Sequence, residues 1–267
     1  MAKLFDLTLD LARFVTRTYA GVTTSTGTTN TLVDSELPFS PQAGVYDGGT
    51  LWITNGTYAG SMFRVINVVD GVVTFSPAVS TPTASGVSYF LADNRFLKHV
   101  LTGAVNFVIK DVPVAKTDET LTVDIDSMDY TLPAGVSDVR IVEIASNDTS
   151  PYEYVRNRYW REKPGGTLTI YGGLFSSDDG KKIRLTYAAA HGELDASGEL
   201  SPSIPIEYVR YAGAVYLWRN YIQKFEKDSQ VAGELLNEAK IYEARADSMR
   251  RTMYNRVPAR EICLRVM

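Results

Sequence analysis

The sequence predicts an α+β fold, a helical bundle formed from N-terminal, middle and C-terminal helices with a small antiparallel β domain inserted and a second β segment. Three observations predict it. Apolar residues recur at helical spacing near both ends and in the middle of the chain. The intervening stretches are rich in Thr, Gly and β-branched residues. Asn-Gly and Asp-Gly pairs punctuate the first of those stretches.

Each element follows from local pattern. Leu4, Leu7, Leu11 and Val15 line one face of a short N-terminal helix, with Asp6, Asp10, Arg13 and Arg17 off it. Residues 22 to 32 carry too many threonines and glycines to continue it, because β-branched side chains lose χ1 freedom in a helix. Strands are expected over Thr50 to Thr54, Met62 to Asn67, Val72 to Phe75 and Gly86 to Leu91, with tight hairpin turns at Asn55-Gly56 and Asp70-Gly71. Helical spacing resumes after Asn94, where Phe96, Val100, Ala104 and Val108 share a face that Leu97, Leu101 and Phe107 widen, and Pro113 ends it. The second β segment is expected to hold strands over Thr120 to Ile125, Tyr130 to Leu132, Val139 to Ile144, Thr167 to Tyr171 and Ile183 to Tyr187. Ser203 and Pro205 mark the start of a helix running through Phe225. A second one follows, capped at Ser229, in which Val231, Leu235, Ala239, Tyr242, Ala246, Met249 and Met253 recur in steps of three and four until Pro258. The expected organisation is a bundle from 1–18, 93–112 and 203–256, an inserted sandwich or barrel over 19–92, the second β segment over 117–190 and an extended tail over 257–267.

Composition narrows the function classes. The chain has 267 residues and a net charge of −4, which argues against nucleic-acid binding through overall positive charge. A single cysteine, Cys263, has no internal partner, and His99 and His191 are too few to build a structural zinc site with it. No apolar run reaches the ~20 residues of a membrane span, and the N-terminus has no signal-peptide apolar core because Asp6 and Asp10 interrupt it.

The residues that could carry chemistry have plainer readings. No serine lies in a Gly-x-Ser-x-Gly frame beside either histidine. Asp124, Asp126 and Asp129 resemble a cation loop but lack the glycine and the closing glutamate of an EF-hand, and alternation with Val123 and Ile125 suits a strand's wet face. Gly165-Gly166 and Gly172-Gly173 precede no Lys-Ser/Thr and form turns, not a P-loop. The expectation is therefore a protein without catalytic, metal or cofactor-binding residues.

Two stretches read instead as interaction surfaces. Arg156, Arg158, Arg161 and Lys163 interleave with Tyr159 and Trp160, a combination that fits nucleic-acid contact as well as a hairpin tip docked on a partner protein. The protein interface is preferred, since arginine and aromatic residues are enriched there. In the last twenty residues five arginines face one carboxylate, Glu261, giving +4 locally. Cations near a helix's negative pole account for Arg250 and Arg251. Beyond Pro258, the apolar residues Ile262, Cys263, Leu264, Val266 and Met267 read as a tail offered to a partner.

The run Thr31-Leu32-Val33-Asp34-Ser35, with Gly48-Gly49-Thr50-Leu51-Trp52-Ile53-Thr54-Asn55-Gly56, Ala59-Gly60 and Val73-Thr74-Phe75-Ser76-Pro77-Ala78, resembles a β module of tailed-bacteriophage virion proteins. Ile183 to Tyr187, then a loop, Pro205 and the helix through Tyr208 to Trp218, is similar to head-to-tail connector (adaptor or neck) proteins. That resemblance implies a structural, homo-oligomeric ring, commonly of twelve copies, beneath the portal. The ring would continue the DNA channel without reading sequence and receive downstream tail or neck proteins. It implies a virion location, assembly in the host cytoplasm, no cofactor and no membrane. On this expectation Arg250, Arg251, Arg256, Arg260, Leu264 and Arg265 contact the portal, and Arg156, Arg158, Tyr159, Trp160 and Arg161 form a secondary interface. Two rivals stand beside it: a carbohydrate- or receptor-binding virion protein using Trp52 and Tyr58, and a cell-wall hydrolase whose only support is carboxylates such as Glu143 and Glu153.

Overall fold

The structure, a computed structural model, describes residues 2–37, 45–225 and 229–258. The helical bundle with β inserts is not what the chain forms: strands dominate. Thirteen of them make three antiparallel sheets, joined by four α-helices among the described residues. The chain divides into two compact units, one comprising Met1–Asp111 with Gly192–Arg250 and the other centred on Val112–His191.

In the first unit, α1 (Leu4–Val15) leads into β1 (Thr18–Val22), β2 (Thr31–Val33), β3 (Thr50–Ile53), β4 (Ser61–Val69), β5 (Val72–Ser76) and β6 (Ser88–Ala92). These strands form one curled sheet in the order β1-β6-β3-β4-β5-β2. Its two edges meet through an antiparallel bridge between Ser25 and Val33, where the Thr24 N–H donates to the Val33 carbonyl (2.9 Å). Asp70 and Gly71 both adopt positive φ (49° and 74°), giving the two-residue hairpin that Asp-Gly predicts between β4 and β5. Asn55-Gly56 differs. It starts a longer loop, because the Asn55 amide is engaged across the sheet, accepting from the Ser88 N–H (2.6 Å) and donating to the Ser88 hydroxyl.

The middle strand of this sheet is covered on both faces. All four residues of β3 are buried. Leu51 and Ile53 join Phe63, Val65, Val73, Phe75, Tyr89 and Leu91 inside the curl. Trp52 faces the other way, in register with Met62 on β4 and Phe90 on β6. That outer row carries α1: the Trp52 indole N–H reaches the Thr8 hydroxyl (3.4 Å), the same hydroxyl meets the Met62 sulfur (3.2 Å), and the Arg13 guanidinium lies 3.9 Å from the centre of the Phe90 ring. Helices α2 (Lys98–Ile109) and α3 (Ile206–Phe225) complete the layer, each packing on α1 and on the other. Gly213 lets α3 approach closely, since a Cβ there would sit 3.0 Å from Leu11. A two-pronged ion pair from Arg210 to Asp10, at 2.7 Å on both prongs, joins α3 to α1. Phe107 lies on the exposed side of α2 against Tyr216, at 4.5 Å between ring centres, and does not widen the buried stripe.

Helix α4 (Ser229–Arg256) docks through aromatic contacts. Tyr242 meets Phe14 edge-on at 5.0 Å, stacks on Tyr211 at 5.3 Å and lies 5.7 Å from Trp218. Ala239, Ala246 and Met253 are buried along the helix, in step with the apolar spacing of the sequence. Among the described residues no helix is long and apolar enough to cross a membrane.

The second unit is a sandwich. Its larger sheet runs β10-β9-β13-β7, from Tyr154–Asn157, Val139–Ala145, Ile183–Ala190 and Pro113–Asp118. Its smaller sheet runs β11-β12-β8, from Trp160–Lys163, Thr167–Ile170 and Asp129–Thr131. Val139, Val142, Leu168, Ile183 and Leu185 are fully buried between them. The strand expected over Thr120 to Ile125 is reduced to a single bridge from Thr122 to Lys182. Beyond it the Asp126 N–H turns back onto the Asp124 carboxylate (3.0 Å), a local bond that competes with a strand ladder.

One polar group pins the first sheet from within. Asp34 is fully buried, and its carboxylate accepts from the Tyr89 hydroxyl (2.7 Å), the Tyr19 hydroxyl (3.3 Å) and the Glu36 N–H (2.9 Å). Burial and the neighbouring Asp34 both push the Tyr89 hydroxyl's pKa far up, so it stays a donor at any ordinary pH. Removing a donor from a buried carboxylate costs about 1–3 kcal/mol. Tyr89→Phe is expected to lower stability by about that amount in urea unfolding followed by circular dichroism, and Tyr19→Phe by less, because its bond is longer and its side chain half-buried.

Candidate partner-docking surface

The sequence marked two basic stretches, and the structure treats them differently. Arg250 and Arg251 are exposed on the last turns of α4, and Arg256 ends that helix. Arg260, Leu264 and Arg265 lie outside the described residues.

The second stretch forms a defined surface. Arg156, Arg158, Tyr159 and Arg161 are exposed, whereas Trp160 is buried (4% exposed) in the sandwich core. Strand alternation explains the split: Trp160 opens β11 on its core-facing side, opposite Ile170, and Arg161 turns outward. Arg156, Arg158 and Tyr159 line a depression of about 350 Å³ together with Ile144, Val155 and Phe175. Arg161 is not among its lining residues.

Its aromatic walls are held from behind. Asn157 is buried and fixes the Tyr159 segment, accepting from the Tyr159 N–H (2.7 Å) and donating to the Gly172 carbonyl (3.0 Å). The Tyr171 N–H closes the same turn on the Tyr159 carbonyl (2.9 Å). Gly173 has φ +73°, and a Cβ there would stand 3.0 Å from the Tyr159 ring. On the far wall, Phe175 is 70% exposed, yet its backbone is braced: its N–H donates to the Asp178 carboxylate (2.9 Å), and the Lys181 ammonium pairs with the same group (3.0 Å). Burial alone would raise the Asp178 pKa, but the Phe175 N–H and Lys181 outweigh it and hold the carboxyl below its ordinary value.

Sequence reasoning placed Arg156, Arg158 and Tyr159 at this surface and missed Phe175. A single phenylalanine after Gly172-Gly173-Leu174 carries no periodic signal. Only the brace from Asp178 makes it a fixed feature of the surface.

The residues weighed for chemistry lie apart. His99 is exposed on α2, and the His191 N–H donates to the Val112 carbonyl (2.9 Å). Glu143 pairs with Arg184 (2.8 Å), and Asp129 accepts from Lys163 (3.0 Å) and from Thr169. Among the described residues no group of three or more His, Cys, Asp or Glu side chains is placed to hold a metal ion. Trp52 is fully buried under α1, and the Tyr58 hydroxyl is bonded to the Thr81 backbone, accepting its N–H at 2.7 Å, so the sugar-stacking reading loses its main platform. No protein-family model matches the chain, and no curated protein matches its sequence.

Two measurements check how the depression is built. Gly173→Ala places a Cβ against both Tyr159 and Asn157 in a left-handed conformation, and is expected to destabilise the protein by about 1–2 kcal/mol in thermal unfolding. The lowered Asp178 pKa stabilises the fold above the unfolded-state value of about 4 and ceases to do so as pH falls through the lower folded value. Wild-type stability should therefore fall more steeply below about pH 4 than that of Asp178→Asn, in urea titrations at successive pH values.

Proposed function

We propose that this chain is a structural head-to-tail adaptor of a tailed-phage virion, which assembles as a ring between portal and tail and continues the DNA channel. The observation that carries the reading is α4. It is a 28-residue helix fastened to α1 and α3 by the Tyr242 cluster, and its far turns expose Arg250 and Arg251 just before the sequence adds Arg256, Arg260 and Arg265. A rigid helix that delivers a basic, apolar-studded segment suits docking on an acidic portal surface. The β-rich remainder supports the reading as well, since short hairpin loops on braced sheets present many small contact sites.

The mechanism is multivalent. Each copy makes one modest contact with the portal, and closure of a ring converts later contacts into events at high effective concentration. In this proposal no residue turns over a substrate. The partners are the portal, further copies of the chain, downstream tail or neck proteins, and DNA that passes without being read.

Negative-stain images of the protein mixed with its cognate portal should show an added layer beneath the portal ring. Truncation after Asn255 should leave a folded protein, by circular dichroism, that no longer joins the portal in pull-down. Equal portal binding by the truncated and intact chains, or no added layer with the intact chain, would overturn the proposal.

A further inference from the structure

We infer that the exposed aromatic face of α2 and α3 is the seat for the Phe175 turn of a neighbouring copy, so that successive copies join head to tail. The inference rests on the ring reading above, which requires a contact between copies, and is independent of how the chain meets the portal.

The seat is marked by a glycine that the chain's own packing does not explain. Gly103 lies inside α2 on its exposed side, where glycine is less stable than alanine. Beyond the helix's own backbone, a Cβ there would meet nothing within 4 Å among the described residues. Gly213 on α3 shows the contrast, since a Cβ there would press on Leu11. A glycine on a helix face permits close approach by another element, and at Gly103 no described element of this chain makes that approach. One turn on, Phe107 shares the face and is 52% exposed. Its ring is held 4.5 Å from that of Tyr216, which lies 6.2 Å from Tyr221. Bare backbone beside a row of held rings is a shape that receives one projecting aromatic side chain.

The second unit carries such a side chain. Phe175 is the most exposed large apolar residue among those described, and the Asp178 carboxylate accepts its N–H (2.9 Å), fixing the turn that carries it. A ring held in advance binds without the entropy loss of ordering its loop. Val155 and Tyr159, both more than half exposed, border the same depression. With about 150–250 Å² in each aromatic side chain, the three expose roughly 300 Å². A standard interface buries about 800 Å² on each partner, more than half of it apolar, so this patch is the size of an interface centre.

Two unlike faces are what a ring needs. A face that meets itself closes as a dimer, whereas unlike faces join copies head to tail. The chain exposes one aromatic face on each of its units, and because both are apolar their match does not depend on the sign of either.

The test is disulfide trapping between full-length copies in which the single cysteine is replaced (Cys263→Ser). Phe107→Cys is placed in one copy and Phe175→Cys in another, with a fusion tag on one so that mixed dimers separate by mass. Both side chains are exposed, so circular dichroism should match wild type. At about 1 mM protein, where weak contacts are populated, the mixed disulfide should form about tenfold faster than either homodimer. A chain carrying both cysteines should give a ladder beyond the dimer. Gly103→Gln in the Phe107→Cys copy should abolish the acceleration while raising thermal stability, because glutamine is the better helix former. Dimers from Phe175→Cys alone at the mixed rate would replace the contact with a two-fold one, and no acceleration in the mixture would leave the two faces to other proteins. Either result, or acceleration that survives Gly103→Gln, overturns the inference. An added portal layer without mixed disulfides would sink this contact and spare the adaptor reading; mixed disulfides without portal binding would do the reverse.

Discussion

The first unit depends on a strand that has no wet face. In Thr50-Leu51-Trp52-Ile53, Leu51 and Ile53 fill the curl of the sheet and Trp52 fills the seam beneath α1. A strand buried on both sides reads as a near-continuous apolar run, as Leu51-Trp52-Ile53 does, with the small hydroxyl residue Thr50 buried at its start. This constraint explains why the helices form a layer on the sheet and not a free-standing bundle. Thr8 marks the seam: its hydroxyl, which donates back to the Leu4 carbonyl of its own helix (2.9 Å), also meets the Trp52 indole N–H and the Met62 sulfur of the sheet.

What was legible in the sequence, and what was not, follows from the same physics. The spacing from Leu235 through Ala239, Tyr242 and Ala246 to Met253 marked α4 because one stripe of a long helix is buried and the rest is wet. Asp70-Gly71 announced its hairpin because few other pairs tolerate two positive φ angles in succession. The strands β1, β7, β10 and β11 were harder to see. Each is four to six residues long, and none buries more than one side chain, so they carry almost no apolar periodicity. Those near-silent strands are much of what turns the expected β insertions into the larger part of the fold. The arginine-rich stretch shows a related limit. Arg156 to Arg161 reads as one amphipathic stretch, yet it spans the end of β10 in one sheet and the start of β11 in the other. The chain crosses between sheets there, which sends Trp160 inward and leaves Tyr159 outside.

Buried polar groups serve as fasteners in both units. Asp34 joins tyrosines from β1 and β6 to the segment after β2, and so ties together strands from opposite edges of the curled sheet. Asn157 performs a similar task at smaller scale, binding the crossover at Tyr159 to Gly172. Each is a polar side chain whose removal would strand several partners, so its position is set by hydrogen bonding and not by hydrophobicity. Composition and periodicity do not register such residues.

Ion pairs join neighbouring elements within each unit: Arg210 with Asp10, Arg219 with Glu243, Arg184 with Glu143 and Lys163 with Asp129. In the adaptor reading proposed above, the exposed arginines on the last turns of α4 would meet the partner, in a chain that is acidic as a whole. On that reading an acidic partner would be disfavoured by the chain's net charge and drawn to the end of α4, where arginines follow one another in sequence. Charge would then select the contact region, and fixed aromatic side chains would set the register between copies. A basic tail alone would attract any anion, and an exposed phenylalanine alone would attract any apolar patch. On that reading the presence of both in one chain is what restricts its partners.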